Sequence, residues 1–194
     1  MDNSINFTAK FIQTSKVQKL SNRFYKNFDA SFVELNRKDL NALEETTKEW
    51  DEIFSNAITN NAKNKLRHYK TKFHVYALTT QKENFAELQP KKILGLVEYQ
   101  EGLGCDEINL LQVNPKYKNY ERNFIDKLVN IIKGERVEYK NSGKSILDSL
   151  KSIYKNRRID VDSATAATGF YEKNGFKSIY KNGTNYTWRN KKSR

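Results

Sequence analysis

The chain has 194 residues, enough for one domain with a sizeable core, and it carries 11 Phe and 11 Tyr that can fill a core poor in aliphatic side chains. Lys and Arg number 35 against 23 Asp and Glu, a net charge of +12 with a pI near 9.6; such a chain is drawn to anions such as phosphates, nucleic acid or acidic membrane, or carries a lysine-rich solubilising surface. Cys105 is the single cysteine, which excludes an internal disulfide framework and a zinc set.

No apolar run reaches the roughly 18 residues of a membrane span, and the amino-terminal MDNSINFTAK lacks a signal core. A soluble, cytoplasmic protein with no membrane partner is expected. Phe7, Ala9 and Phe11 alternate with polar residues as on a half-buried strand. Val17, Leu20, Phe24 and Phe28 then fall three and four apart, which predicts a helix. A second helix is predicted through Leu40, Leu43, Trp50, Ile53, Phe54 and Ile58, with Asp39 as its N-cap. Lys72–Thr80 and Lys92–Gln100 read as strands joined by a hairpin loop, and EINLLQVNP reads as a third after the turn EGLGCD. Tyr117–Lys133 has helical spacing. Cys105 reads as a small, half-buried residue.

The stretch from Val137 to Phe176 organises the rest. It reads as a loop VEYKNSGKS, an amphipathic helix to about Lys155, a strand RRIDV, and a second helix that stops at Asn174-Gly175. A glycine-containing loop opening a helix is an anion site, because free N–H groups and the helix dipole converge there. GKS is not a nucleotide P-loop, since position 138 holds Glu138 where that motif needs glycine. Asn182-Gly183 between two alternating runs predicts a C-terminal hairpin, and the basic tail RNKKSR follows.

This order, ending in FYEKNGF, resembles the Gcn5-related N-acetyltransferase (GNAT) family over roughly residues 72–188. Lys140-Asn-Ser-Gly143-Lys-Ser145 matches the family's pyrophosphate loop, with Lys and Ser replacing two usual residues. Ala167, Tyr171, Gly175 and Phe176 match its second motif, although Ala164 stands where Asn is common. Residues 118–123, directly after the third strand, are the competing loop, but there Glu121 and Asn123 replace both glycines.

The resemblance implies one α/β domain over residues 1–194, with a mixed, mostly antiparallel sheet flanked by helices and closed by a C-terminal β-hairpin; 116–138 would then be a helical insertion. It implies transfer of an acetyl group from acetyl-CoA to an amine, with no metal. Leu111, Gln112 and Val113 would contact the pantetheine, and Lys140, Asn141, Ser142, Gly143, Lys144 and Ser145 the diphosphate. Tyr171 would protonate the departing thiolate, and a backbone N–H near Leu111–Val113 would polarise the thioester carbonyl. Glu107, with Glu98 behind it, is the candidate base; His68 and His74 have no positional argument. The acceptor is a small molecule or a macromolecule, and the charge suits an anionic one such as an RNA-borne aminoacyl group. A non-catalytic nucleic-acid-binding or regulatory module on the same scaffold is the alternative. Oligomeric state is not written in the chain.

Overall fold

The computed structural model describes residues 9–40, 43, 50, 62–68, 72–85, 88–117, 137–181 and 183–190. The first surprise is at the amino-terminal end, where the expected helix is a long hairpin. Strand β1 (Lys10–Ser21) pairs antiparallel with β2 (Phe24–Leu35) across a two-residue turn. Asn22 and Arg23 hold that turn with φ of 49° and 70°, the left-handed pair that suits a tight hairpin. The helical spacing misled because it runs across the turn: Val17 and Leu20 lie on β1, Phe24 and Phe28 on β2, Val17 sits opposite Phe28, and Phe24 is exposed. Further along β2, Ala30 and Phe32 pack on one face of the sheet and Val33 and Leu35 on the other.

Residues 37–40 begin a helix, but its cap is not Asp39. The Asn36 side chain accepts the N–H groups of Lys38 and Asp39, while Asp39 Oδ2 accepts the Asn36 N–H at 2.8 Å. This is a reciprocal capping box, with Asp39 as the far partner. Leu40, Leu43 and Trp50 are buried as expected; Ile53, Phe54 and Ile58 lie outside the described residues, as do Phe7, most of Tyr117–Lys133 and residues 191–194.

Helix α1 (Lys63–His68) leads to β3 (Phe73–Thr79), β4 (Ile93–Gln100) and β5 (Asp106–Val113), consecutive antiparallel neighbours as predicted. A two-residue strand β6 (Tyr139–Lys140) pairs with β1 before helix α2 (Ser142–Ile153). Strand β7 (Ile159–Asp162), helix α3 (Thr168–Lys173), β8 (Lys177–Ser178) and β9 (Asn185–Trp188) complete the chain. Among the described residues the sheet has nine strands in the order β6-β1-β2-β3-β4-β5-β7-β9-β8, and only β5–β7 is parallel. The C-terminal hairpin is present, though β8 pairs at only Lys177 and Ser178, so its connection is longer than an Asn-Gly turn.

Two cores lie on the two faces. Ile146, Leu147 and Leu150 of α2 pack with Val17, Phe32, Tyr76, Val97, Tyr99 and Ile108 on one. On the other, Val33, Val75 and Leu96 pack with Leu40, Leu43 and Trp50. Ser145 donates to the Lys16 carbonyl at 2.8 Å and Ser149 meets Ser15 at 2.6 Å, which fixes α2 along β1. No helix among the described residues is long and apolar enough to cross a membrane.

Candidate functional site

The parallel pair β5–β7 is short. Pairing runs from Asp106–Ile159 to Ile108–Val161 and stops, while β5 continues to Val113 with no strand partner on that side among the described residues. At the same level β5 takes a bulge: Tyr99 pairs with Ile108 but Glu98 with Leu110, so Asn109 is the extra residue. A bulge bends the strand and leaves one residue out of the ladder. Together these features open the sheet beside residues 110–113.

A cavity of about 420 Å³ lies at this opening, lined by Val113, Tyr117, Lys140–Lys144, Phe170, Lys173 and Asn174. Its wall is the start of α2. Asn141 stands before the helix with φ 65° and gives no side-chain cap, and the first helical bond runs from the Ser145 N–H to the Asn141 carbonyl. The N–H groups of residues 142–144 are therefore the uncapped donors of a helix start. Ser142 Oγ is buried and has no hydrogen-bond partner among the described residues. A Cβ on Gly143 would stand 3.1 Å from the Phe170 ring and 3.3 Å from Val113. Glycine thus lets α2, α3 and β5 meet where the cavity needs its floor.

The charge is uneven. Lys144 pairs with Asp148, an exposed pair one turn on, and this offsets part of its charge. The Lys140 ammonium lies over the Tyr25 ring at 4.3 Å, and Lys173 faces the cavity from α3. An anionic, elongated ligand fits this donor set: a helix N-terminus with an unsatisfied buried hydroxyl and two lysines beside an unpaired strand edge.

Val113, Lys140, Asn141, Ser142, Gly143 and Lys144 are brought together as the sequence suggested. Ser145 is not with them, because its hydroxyl is spent on Lys16. Leu111 packs into the α2-side core and Gln112 pairs with Leu96, so neither lines the cavity. Residues 118–123 lie outside the described residues. Tyr117, Phe170, Lys173 and Asn174 were missed: Phe170 and Lys173 flank the Tyr171 motif, but nothing in the spacing marks them as cavity-facing.

Tyr171 is buried on α3, edge-on to Phe170 and Phe176 at 5.1 and 5.5 Å. Burial alone pushes its phenol up to about 12, and its hydroxyl has no hydrogen-bond partner among the described residues. Glu107 is exposed and lines a separate cleft of about 300 Å³ with Asp160, Asp162 and the half-buried Cys105. It sits where β5 and β7 are still paired, away from the opening. His74 is held by carboxylates at both nitrogens, Glu34 at 2.7 Å and Glu101 at 3.1 Å. Burial alone would lower its pKa, but the two carboxylates outweigh it and the net shift is upward.

No protein-family model and no curated protein matches the sequence. Solved structures do. The PaiA N-acetyltransferase of Thermoplasma acidophilum in complex with coenzyme A superposes with TM-score 0.50 at 16% identity, over 82% of this chain and 97% of that one. The Bacillus subtilis N-acetyltransferase YlbP in complex with coenzyme A follows at TM-score 0.48 and 15% identity, over 91% and 97%. At this identity the likeness shows the fold alone: the chain has the GNAT fold, a mixed, mostly antiparallel sheet flanked by helices.

Proposed function

We propose that this chain is an N-acetyltransferase that takes acetyl-CoA as its donor and an amine as its acceptor. The observation that carries this reading is the cavity at the β5–β7 opening, walled by the uncapped start of α2 with Ser142 Oγ unsatisfied. Acetyl-CoA, when bound, supplies an acetyl group activated as a thioester. The N–H groups of residues 142–144 and the Ser142 hydroxyl would hold the diphosphate, with Lys140 and Lys173 neutralising charge. The free edge of β5 up to Val113 would take the amide-bearing arm through backbone groups. Tyr171 would hand its proton to the sulfur: its hydroxyl is not committed elsewhere, and its high pKa keeps it protonated until a thiolate develops.

Calorimetry tests this directly. Acetyl-CoA should bind with micromolar affinity, and Gly143→Glu should abolish binding by filling the floor against Phe170 and adding a negative charge. Ser142→Ala should weaken binding about 5-fold, the worth of one hydrogen bond. Absence of binding to the wild-type chain at millimolar acetyl-CoA sinks the reading.

One observation favours a second reading. Lysines lie over rings at several places: Lys19 over Phe28 and Tyr139, Lys82 over Phe28, and Lys116 over the cavity-lining Tyr117. Such a surface suits a polyanion, and a nucleic-acid-binding module would show steeply salt-dependent RNA or DNA binding without acetyl-CoA affinity.

A further inference from the structure

Helix α3 carries Tyr171, yet with six residues it is too short to hold its own direction. Its last carbonyls are satisfied nearby. Asn174 donates its backbone N–H to the Tyr171 carbonyl at 3.1 Å and its side-chain amide to that of Phe170 at 2.8 Å, and the Phe176 N–H also reaches Tyr171 at 3.1 Å. Gly175 takes φ 80° in this turn, the left-handed stop of a helix. The Asn174 carbonyl lies past these local donors. It accepts the Lys151 ammonium, which reaches it from the last turn of α2.

A lysine is an expensive way to fill that place. Lys151 is half-buried, and burial holds its amine below the ordinary lysine value. Asp148, on the same stripe of α2, is paired with Lys144. The Lys151 ammonium lies instead over the Phe176 ring at 5.0 Å and the Trp188 ring at 5.6 Å. An apolar side chain of similar length would pack here without desolvating a charge. What the ammonium adds is direction, because a charge-assisted hydrogen bond and two ring faces together fix one point at the end of α3.

That point connects to the site on two sides. Lys173 and Asn174 line the cavity, and Lys144, about two turns earlier on α2, lines its other wall. Phe176, under the ammonium, meets the Tyr171 ring edge-on at 5.5 Å. The Tyr171 hydroxyl has no hydrogen-bond partner among the described residues, so whatever holds its ring and its helix sets its place.

The geometry points to Lys151 as a positioning residue: through the Asn174 carbonyl and the Phe176 ring it sets the angle at which α3 presents Tyr171. Its effect on turnover rests on the acetyltransferase reading above, in which Tyr171 is the proton donor. Removing the ammonium leaves the first turn of α2 and its N–H donors as they are, so acetyl-CoA binding is spared while the placement of the phenol is lost.

The test uses the full chain. Lys151→Met keeps the stem and removes the charge, and Lys151→Arg restores a cation that can donate and stack; Lys151→Gln replaces Lys151→Met should that variant not fold. In protein with ¹³C-labelled tyrosine rings and no cofactor, the resonance lost in Tyr171→Phe should move in Lys151→Met and return in Lys151→Arg. The resonance lost in Tyr25→Phe should stay in place throughout. A Tyr171 resonance indifferent to Lys151→Met overturns the proposal. With spermidine and a lysine-containing peptide as probe acceptors, Lys151→Met should lower kcat about 10-fold at unchanged acetyl-CoA affinity, and Lys151→Arg should recover most of it. In the Tyr171→Phe background Lys151→Met should cost nothing further, because no phenol is left to position. Equal costs in both backgrounds, or a loss of affinity in place of kcat, overturns the proposal as well. If neither probe is acetylated, the tyrosine resonance alone decides. Calorimetry separates the two failures: a wild-type chain that does not bind acetyl-CoA sinks the acetyltransferase reading, whereas binding with a Tyr171 indifferent to Lys151 sinks the positioning role.

Discussion

Asp106 and Glu98 are buried carboxylates on neighbouring strands, and their surroundings are opposite. Asp106 lies where β5 and β7 are still paired. It receives the Arg157 guanidinium through Nε and Nη2, the Tyr99 hydroxyl at 2.6 Å and the Gly102 N–H at 3.1 Å. Burial alone would raise its pKa, but these donors outweigh it and hold the carboxyl below its ordinary value. Glu98 lies where the strands part, and its carboxyl is lifted instead. The same contrast runs along α2. Its C-terminal end is closed by Tyr154, whose hydroxyl meets Tyr76 at 2.7 Å and whose ring stacks on Tyr99 at 4.1 Å. Its N-terminal end keeps Ser142 unsatisfied. Where the sheet is closed, polar groups hold it together; where it opens, they are left for a ligand.

The largest effect should come from the closed side. Asp106→Ala strands the Tyr99 hydroxyl and the Gly102 N–H and releases Arg157, and urea unfolding should show a loss of about 3 kcal/mol. A loss below about 1 kcal/mol would break the comparison. On the open side, Tyr171→Phe removes a hydroxyl that has no hydrogen-bond partner among the described residues. Turnover should fall about 100-fold while acetyl-CoA affinity and stability stay near wild type.

Glu98→Gln should act on stability in the direction opposite to Asp106→Ala. A carboxyl whose folded pKa is raised leaves the fold unpenalised below the unfolded value, near 4.5, and costs stability as pH rises toward about 7. The variant should match wild type at pH 4.5 and exceed it at pH 8 by on the order of 1–3 kcal/mol, read from urea midpoints. Equal midpoints at both pH values would mean that Glu98 has found a partner. His74 gives the smallest effect. Its raised pKa makes its contribution complete below the unfolded value near 6.5 and lost as pH rises through the folded one. His74→Gln should cost about 1 kcal/mol at pH 6 and progressively less above that window.

Much of the frame could be read from local chemistry. The strands Phe73–Thr79, Ile93–Gln100 and Asp106–Val113 announce themselves through β-branched and aromatic residues between turns, and α2 through its apolar stripe behind Gly143. The loop at 140–144 was legible because helix starts depend on nearby residues. The amino-terminal hairpin was not, because apolar residues of two paired strands happen to fall at helical spacing across the turn and an Asn-Arg turn lacks the usual glycine.

The site shows the same division. Residue type alone nominated Tyr171 and the α2 loop, and it could not tell that Glu107 is exposed and Glu98 buried. Exposure, partner count and the level at which β5 leaves β7 belong to no single segment. They arise when strands distant in sequence are set in register, and that register assigns Asp106 its partners and leaves Glu98 Oε1 and Ser142 Oγ buried without one among the described residues.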